Sequence, residues 1–187
     1  MKQTLIYSLL LSLICSVAMG QVQTVPSVDL QKYRGQWFEI ATIPQEQQKD
    51  CVSDVSAQYT QLPEGLLKVR NSCKTKTGKI QEAIGRARVV DEKSNAKLEV
   101  TFAQILFRWA FPFGGDYWIL DVAEDYSYAV VGEPSAESGW ILSRSKTLSE
   151  EHLERAKDVL QRNGYNVCDF RFTIQDGGAT ENKSLCD

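Results

Sequence analysis

The sequence predicts an all-β protein: an eight-stranded antiparallel up-and-down β-barrel with one C-terminal α-helix and a short ninth strand. Three observations carry that expectation. Runs rich in β-branched and aromatic residues recur along the chain, broken by turn signals. They follow one another as hairpins, with no long crossover between them. Only one segment has helical rather than alternating periodicity. Eight such strands would leave two open edges. Closing on themselves removes both edges and leaves an interior able to hold one small ligand.

The first 20 residues stand apart. Lys2 is a short positive start, Leu5 to Val17 is apolar, and Ala18-Met19-Gly20 supplies small residues before a cut. This is the pattern of a secretory signal peptide cleaved after Gly20, leaving one domain over 21–187. The apolar run is too short for a comfortable membrane-spanning helix. Cys15 is not expected to carry a lipid, because Ile14 sits where a lipidation site wants a small residue. The chain is therefore expected to be exported, either periplasmic or secreted, and not a lipoprotein. Its net charge is −3, and cleavage removes only Lys2 among the charged residues. An acidic chain without a basic cluster excludes nucleic acid as a partner. Cys51, Cys73, Cys168 and Cys186 remain after cleavage, an even count that predicts two disulfides in an exported protein. There is no Cys-x-x-Cys pair and His152 is the only histidine, so neither a metal nor another cofactor is expected.

The elements are expected in this order. Strands fall near 36–43, 54–61, 66–73, 80–90, 96–103, 116–122, 127–132, 139–144 and 168–174. The segments 63–65, 75–79 and 91–96 read as hairpin turns. Between the eighth and ninth strands, Thr147 is a candidate N-cap with Glu150 three residues on. Leu153, Ala156, Val159 and Leu160 share one helical face, and Gly164 is placed to stop the helix. That face must pack on the outside of the barrel.

A barrel that holds a ligand at one end must be plugged at the other. Trp37 can fill the base, and Gly35 lets the strand bend where the lead-in segment crosses beneath. Three short regions then carry a family resemblance. They are Gly35-Gln36-Trp37, Asp125-Tyr126 in the turn between the sixth and seventh strands, and "WILSR" at 140–144 ending in Arg144. On these residues the chain resembles the lipocalins, in particular bacterial lipocalins related to apolipoprotein D. The resemblance covers 29–175. It implies that Gly35, Trp37, Asp125, Tyr126 and Arg144 form the closed end, with the Arg144 guanidinium stacked on the indole. It also implies that a small hydrophobic ligand, such as a fatty acid or lysophospholipid, occupies the cup.

Alternation puts Glu39 and Ala41 on the same face as Trp37. Glu39 either orients a ligand's polar group or is satisfied by a neighbouring Tyr or water. Trp140 either lines the pocket or packs in the core, and Phe102 in the fifth strand joins the candidate set. The connection 105–115, "ILFRWAFPFGG", is too aromatic for a solvated loop. Either it folds inward as a lid, which would bring Trp109 and Phe111 to the ligand, or it meets a membrane as an apolar lip. The lid is favoured, with peripheral membrane contact as the rival.

No catalytic set is visible, so the chain is expected to be a carrier and not an enzyme. The alternative is a lipocalin-type enzyme, an isomerase or an epoxide-handling one, acting on a lipophilic substrate in the cavity. A cavity thiol is the one route to such chemistry. For the disulfides, the turn at 63–65 puts Cys73 nearly opposite Val55, close to the chain that follows Cys51. That favours Cys51–Cys73 and leaves Cys168–Cys186. Many lipocalins instead tie the C-terminal tail to the barrel wall, which would join Cys186 to Cys51 or Cys73.

Overall fold

The computed structural model describes residues 21–187; the signal-peptide assignment on residues 1–20 lies outside the described residues. A short turn, α1 (Leu30–Tyr33), leads into β1 (Gly35–Thr42), β2 (Cys51–Gln61), β3 (Leu67–Thr75), β4 (Ile80–Val89) and β5 (Lys97–Thr101). A small hairpin, β6 (Gln104–Ile105) and β7 (Arg108–Trp109), precedes β8 (Gly115–Val122), β9 (Tyr128–Gly132) and β10 (Trp140–Ser143). Then come α2 (Glu150–Arg162) and β11 (Arg171–Phe172). Each barrel strand pairs with its neighbour in sequence, and β10 pairs with β1. The eight strands β1–β5 and β8–β10 therefore close into an antiparallel barrel.

Strand alternation sorts side chains into two cores. Trp37, Tyr59, Val69, Leu98, Ile119, Val131 and Leu142 fill the lower barrel. Leu120, Tyr128, Val130 and Ile141 point outward and meet Ala156, Val159 and Leu160 of α2. β9 is consequently buried along its whole length, one face in each core. α2 is bounded by local chemistry. The Ser149 hydroxyl accepts from the His152 N–H at 3.2 Å. At the other end Gly164 sits at φ +81, the Tyr165 N–H reaches the Leu160 carbonyl, and the Gly164 N–H reaches that of Gln161. The N-cap is thus Ser149 and not Thr147. Ser149 is the last extended residue, while the Thr147 carbonyl accepts from the Ser145 hydroxyl at 2.5 Å.

The C-terminal segment closes a seam. β1 pairs with β2 only over Gly35–Phe38. Farther along, Ala41 and Thr42 pair with β11 instead. The Thr173 N–H donates to the Ile40 carbonyl and the Asp54 N–H to the Ile174 carbonyl, both at 2.9 Å. The Gln175 side-chain amide donates to the carbonyls of Glu39 and Val55, each at 2.9 Å. Residues 171–175 thus bridge β1 and β2 where those strands have parted.

Some expected boundaries move. β2 starts at Cys51 rather than 54, because two register shifts and Asp54 at φ +55 keep a polar stretch on the ladder. The ninth strand shrinks to Arg171–Phe172, since Val167–Asp169 is a 3-10 turn. Ala41 leaves the face of Trp37 and joins the outer core, because the β1–β10 register shifts between Glu39 and Ala41. The bulged start of β2 also carries the first of two bridges. Cys51 is bonded to Cys73 with Cα atoms 5.6 Å apart, and Cys168 to Cys186 with Cα atoms 5.1 Å apart.

Candidate functional site

The closed end is built around Trp37, which is fully buried. Its indole N–H donates to the Tyr33 carbonyl at 2.8 Å. The Arg144 guanidinium lies 3.7 Å from the centre of the indole ring. From there it donates to the carbonyls of Gln36 and Lys32, each at 2.7 Å, and of Tyr126 at 3.3 Å. One cation therefore ties β1, α1 and the β8–β9 turn together. Gly35 is at φ +95, and a Cβ there would come within 3.3 Å of the guanidinium. The Asp125 carboxylate has its pKa lowered by the Ser127 side chain and by the Ser127 N–H, from which it accepts at 3.0 Å, and the Tyr126 hydroxyl accepts from the Asp29 N–H at 2.7 Å. The five motif residues are thus gathered at one pole.

Above this plug an aromatic column climbs the barrel. Ring centres step from Trp37 to Tyr33 at 4.9 Å, to Tyr59 at 5.6 Å, to Tyr117 at 6.0 Å and to Trp140 at 6.4 Å. The Tyr59 hydroxyl donates to that of Tyr117 at 2.9 Å, and the hydroxyls of Tyr33 and Tyr117 share a bond at 2.8 Å. Burial pushes the Tyr59 hydroxyl up to about 12 and the other two well above the usual phenol, so all three stay neutral donors.

The column's upper members border a cavity of about 910 Å³ that opens at the other pole. Val55, Ala57, Val69, Val100 and Leu142 give it apolar walls, and Phe102 and Phe113 stand at its mouth. That volume suits a ligand of drug or single-chain lipid size. Glu39 is on its wall and only 4 % exposed. The Glu39 carboxylate accepts from the Thr173 hydroxyl at 2.6 Å and from the Gln48 amide at 3.0 Å.

Residues 28–175 match the family model of the lipocalin-like domain. The chain belongs to the lipocalin family. This lipocalin is 34 % identical over 156 residues to temperature-induced lipocalin-1 of Arabidopsis thaliana, covering 83 % of each chain. It is 30 % identical over 157 residues to the outer membrane lipoprotein Blc of Escherichia coli K12, covering 83 % of this chain and 84 % of that one. With mouse apolipoprotein D the identity is 32 % over 150 residues, covering 74 % and 72 %. Among solved structures, insecticyanin of the tobacco hornworm Manduca sexta superposes with a TM-score of 0.64 at 20 % identity, covering 86 % and 94 %, a likeness of fold.

The lipocalin brings Glu39, Phe102 and Trp140 together on the cavity, but not Trp109 and Phe111. Those two lie on the outer wall, 4.6 Å and 4.4 Å from the guanidinium carbons of Arg86 and Arg88. The middle of the connection, through Trp109 and Phe111, has turned away from the mouth, contrary to the expected lid, because these β4 cations offer its rings a partner outside the barrel, while Phe113 stays at the mouth. What it leaves in solvent is the β6–β7 tip, with Leu106 and Phe107 at 87 % and 98 % exposure. His152 is also outside, its ring 4.7 Å from that of Tyr128 under α2. Sequence reasoning missed Thr173, Gln48 and the tyrosine node. Tyr59 could have been found, since it lies on the inward face with Ala57 and Val55.

Glu39 makes one prediction. Burial pushes its carboxyl above the usual carboxylate range, and the bonds from Thr173 and Gln48 oppose that only in part. The groups facing it are neutral, so folding takes up a proton here. The stability this contributes is full below the unfolded-chain pKa and is lost as pH rises through the folded one. Glu39→Gln does not titrate. Its stability relative to the parent is expected to rise as pH climbs from about 4 through the raised pKa of the folded carboxyl. Urea midpoints of both proteins from about pH 4 upward check it, and a constant difference refutes it.

Proposed function

We propose that this lipocalin is an exported carrier that binds one fatty acid, lysophospholipid or similar single-chain lipid in its barrel, to transport or store it. The observation that supports this most is the apolar-walled cavity of about 910 Å³ above the tyrosine column. Enzymatic chemistry would need a nucleophile or base in that space. The two cysteines on its wall, Cys51 and Cys73, are bonded to each other, and His152 lies outside the barrel. Both facts favour carriage over the isomerase or epoxide-handling alternative. Titrating the purified protein with fatty acids and lysophospholipids should quench Trp140 saturably at one ligand per chain. No saturable response across such a panel, with lipid-free native mass spectra, rejects the reading.

Export after cleavage behind Gly20, without a lipid anchor, belongs to the same reading. The two disulfides favour an oxidising compartment. Blc is named an outer membrane lipoprotein, but here Cys15 follows Ile14. A mature chain starting at Gln21 would keep the buried Val22 and the Gln23 N–H, which donates to Asn163 at 2.6 Å.

Peripheral membrane contact is assigned to the β6–β7 tip. Leu106 and Phe107 occupy left-handed backbone at φ +48 and +64, positions that favour Asn and Gly. Two large apolar side chains held there in solvent favour a lipid surface as their partner. Leu106→Ser with Phe107→Ser is expected to weaken partition into lipid vesicles at least about tenfold. Unchanged partition in a flotation assay rejects the contact.

A further inference from the structure

We propose that the cavity selects single-chain amphiphiles whose head bears an ammonium group over those whose head is a carboxylate. This deepens the carrier reading and rests on it. The first observation is the charge of the wall. Glu39 lies on the cavity wall, Glu133 and Glu137 stand at its mouth, and Glu82 and Asp116 sit on the outward side of the rim strands; among the described residues no Lys, Arg or His lines the cavity. Glu82 has Arg70 at 3.4 Å. Among the described residues no ion pair neutralises the other four. The nearby cations of β4 are committed outside, Arg86 to Trp109 and Arg88 to Phe111 and Glu99. A carboxylate head entering this mouth loses water, meets like charge and finds no counter-ion.

The second observation is independent of that count. The rings of Trp140 and Tyr117 both line the cavity and lie 6.4 Å apart, stacked at 25°. Leu142, on the same strand face as Trp140, is the partner of Glu39 in the β1–β10 ladder. The buried carboxylate and the indole therefore share one wall. A cation is held by aromatic faces and a carboxylate together, the first through the ring quadrupole and the second by direct charge. Glu39 has two neutral donors and no cation. An ammonium head would supply the missing charge.

Oleylamine, oleyl alcohol and oleate differ only at the head and separate the outcomes. Each is to displace a neutral fluorescent probe from the purified protein at pH 7. The amine is expected to bind at least about tenfold more tightly than oleate, with the alcohol between them. Glu39→Gln should lower the ratio of amine to alcohol affinity about tenfold. Glu137→Gln, on an exposed rim residue whose change leaves the fold intact, should lower it about twofold. Oleate binding as tightly as the amine, or a ratio unmoved in both variants, overturns the selectivity. If all three probes bind equally, carriage stands and selectivity falls. If none binds, both fall.

Discussion

Replacing Trp37 with Ala will cost about 3–5 kcal/mol of stability, the range for removing a fully buried large aromatic. Nothing near the site can collapse to fill the space. The indole is covered by the Tyr33 ring on one side and the Arg144 guanidinium on another. The change also strips the Tyr33 carbonyl of its donor. For a domain of this size each kcal/mol shifts the melting temperature by roughly 2–4 °C. A fall of roughly 10 °C is therefore expected, read by thermal circular dichroism. A loss under about 1 kcal/mol would show that Trp37 does not plug the base.

Removing the upper bridge should have an effect of similar size. Cys51 and Cys73 are 22 residues apart in sequence, and closing a loop of that length is worth about 3 kcal/mol on the chain-entropy estimate. The double variant Cys51→Ser, Cys73→Ser also frees the bulged start of β2, where both side chains border the cavity. Stability in urea should fall by about that amount, and lipid affinity should fall with it. Unchanged stability of the oxidised protein would count against the bridge. A non-reduced peptide joining Cys186 to Cys51 or Cys73 would replace the connectivity outright.

The parts of this molecule legible in the sequence were those governed by near neighbours along the chain. Alternation marks the strands, the 3-4 spacing of Ala156, Val159 and Leu160 marks α2, and Gly164 marks its end. Of the closed-end residues, Gly35 was readable from its missing side chain and Trp37 from its size, while Asp125, Tyr126 and Arg144 were placed there by the family resemblance. The aromatic connection was misread for the opposite reason. Trp109 and Phe111 are settled by Arg86 and Arg88, about 23 residues earlier on the outside of β4, and no periodicity records that pairing. The environment of Glu39 was hidden in the same way, since Thr173 lies 134 residues away. The start of β2 escaped because a bulge has no period.

The seam has a consequence for how the protein is made. Strands β1 and β2 are among the first to emerge from the ribosome, yet the residues that join their upper halves, 171–175, are among the last. Contacts such as Thr173 with Ile40 wait for nearly the whole domain to arrive. Until then the upper edges of β1 and β2 are unpaired and the cup has a slit along one side. A chain of this design becomes a container only once its C-terminal segment has arrived. Truncation anywhere before Phe172 would leave a leaking vessel even where every barrel strand is present.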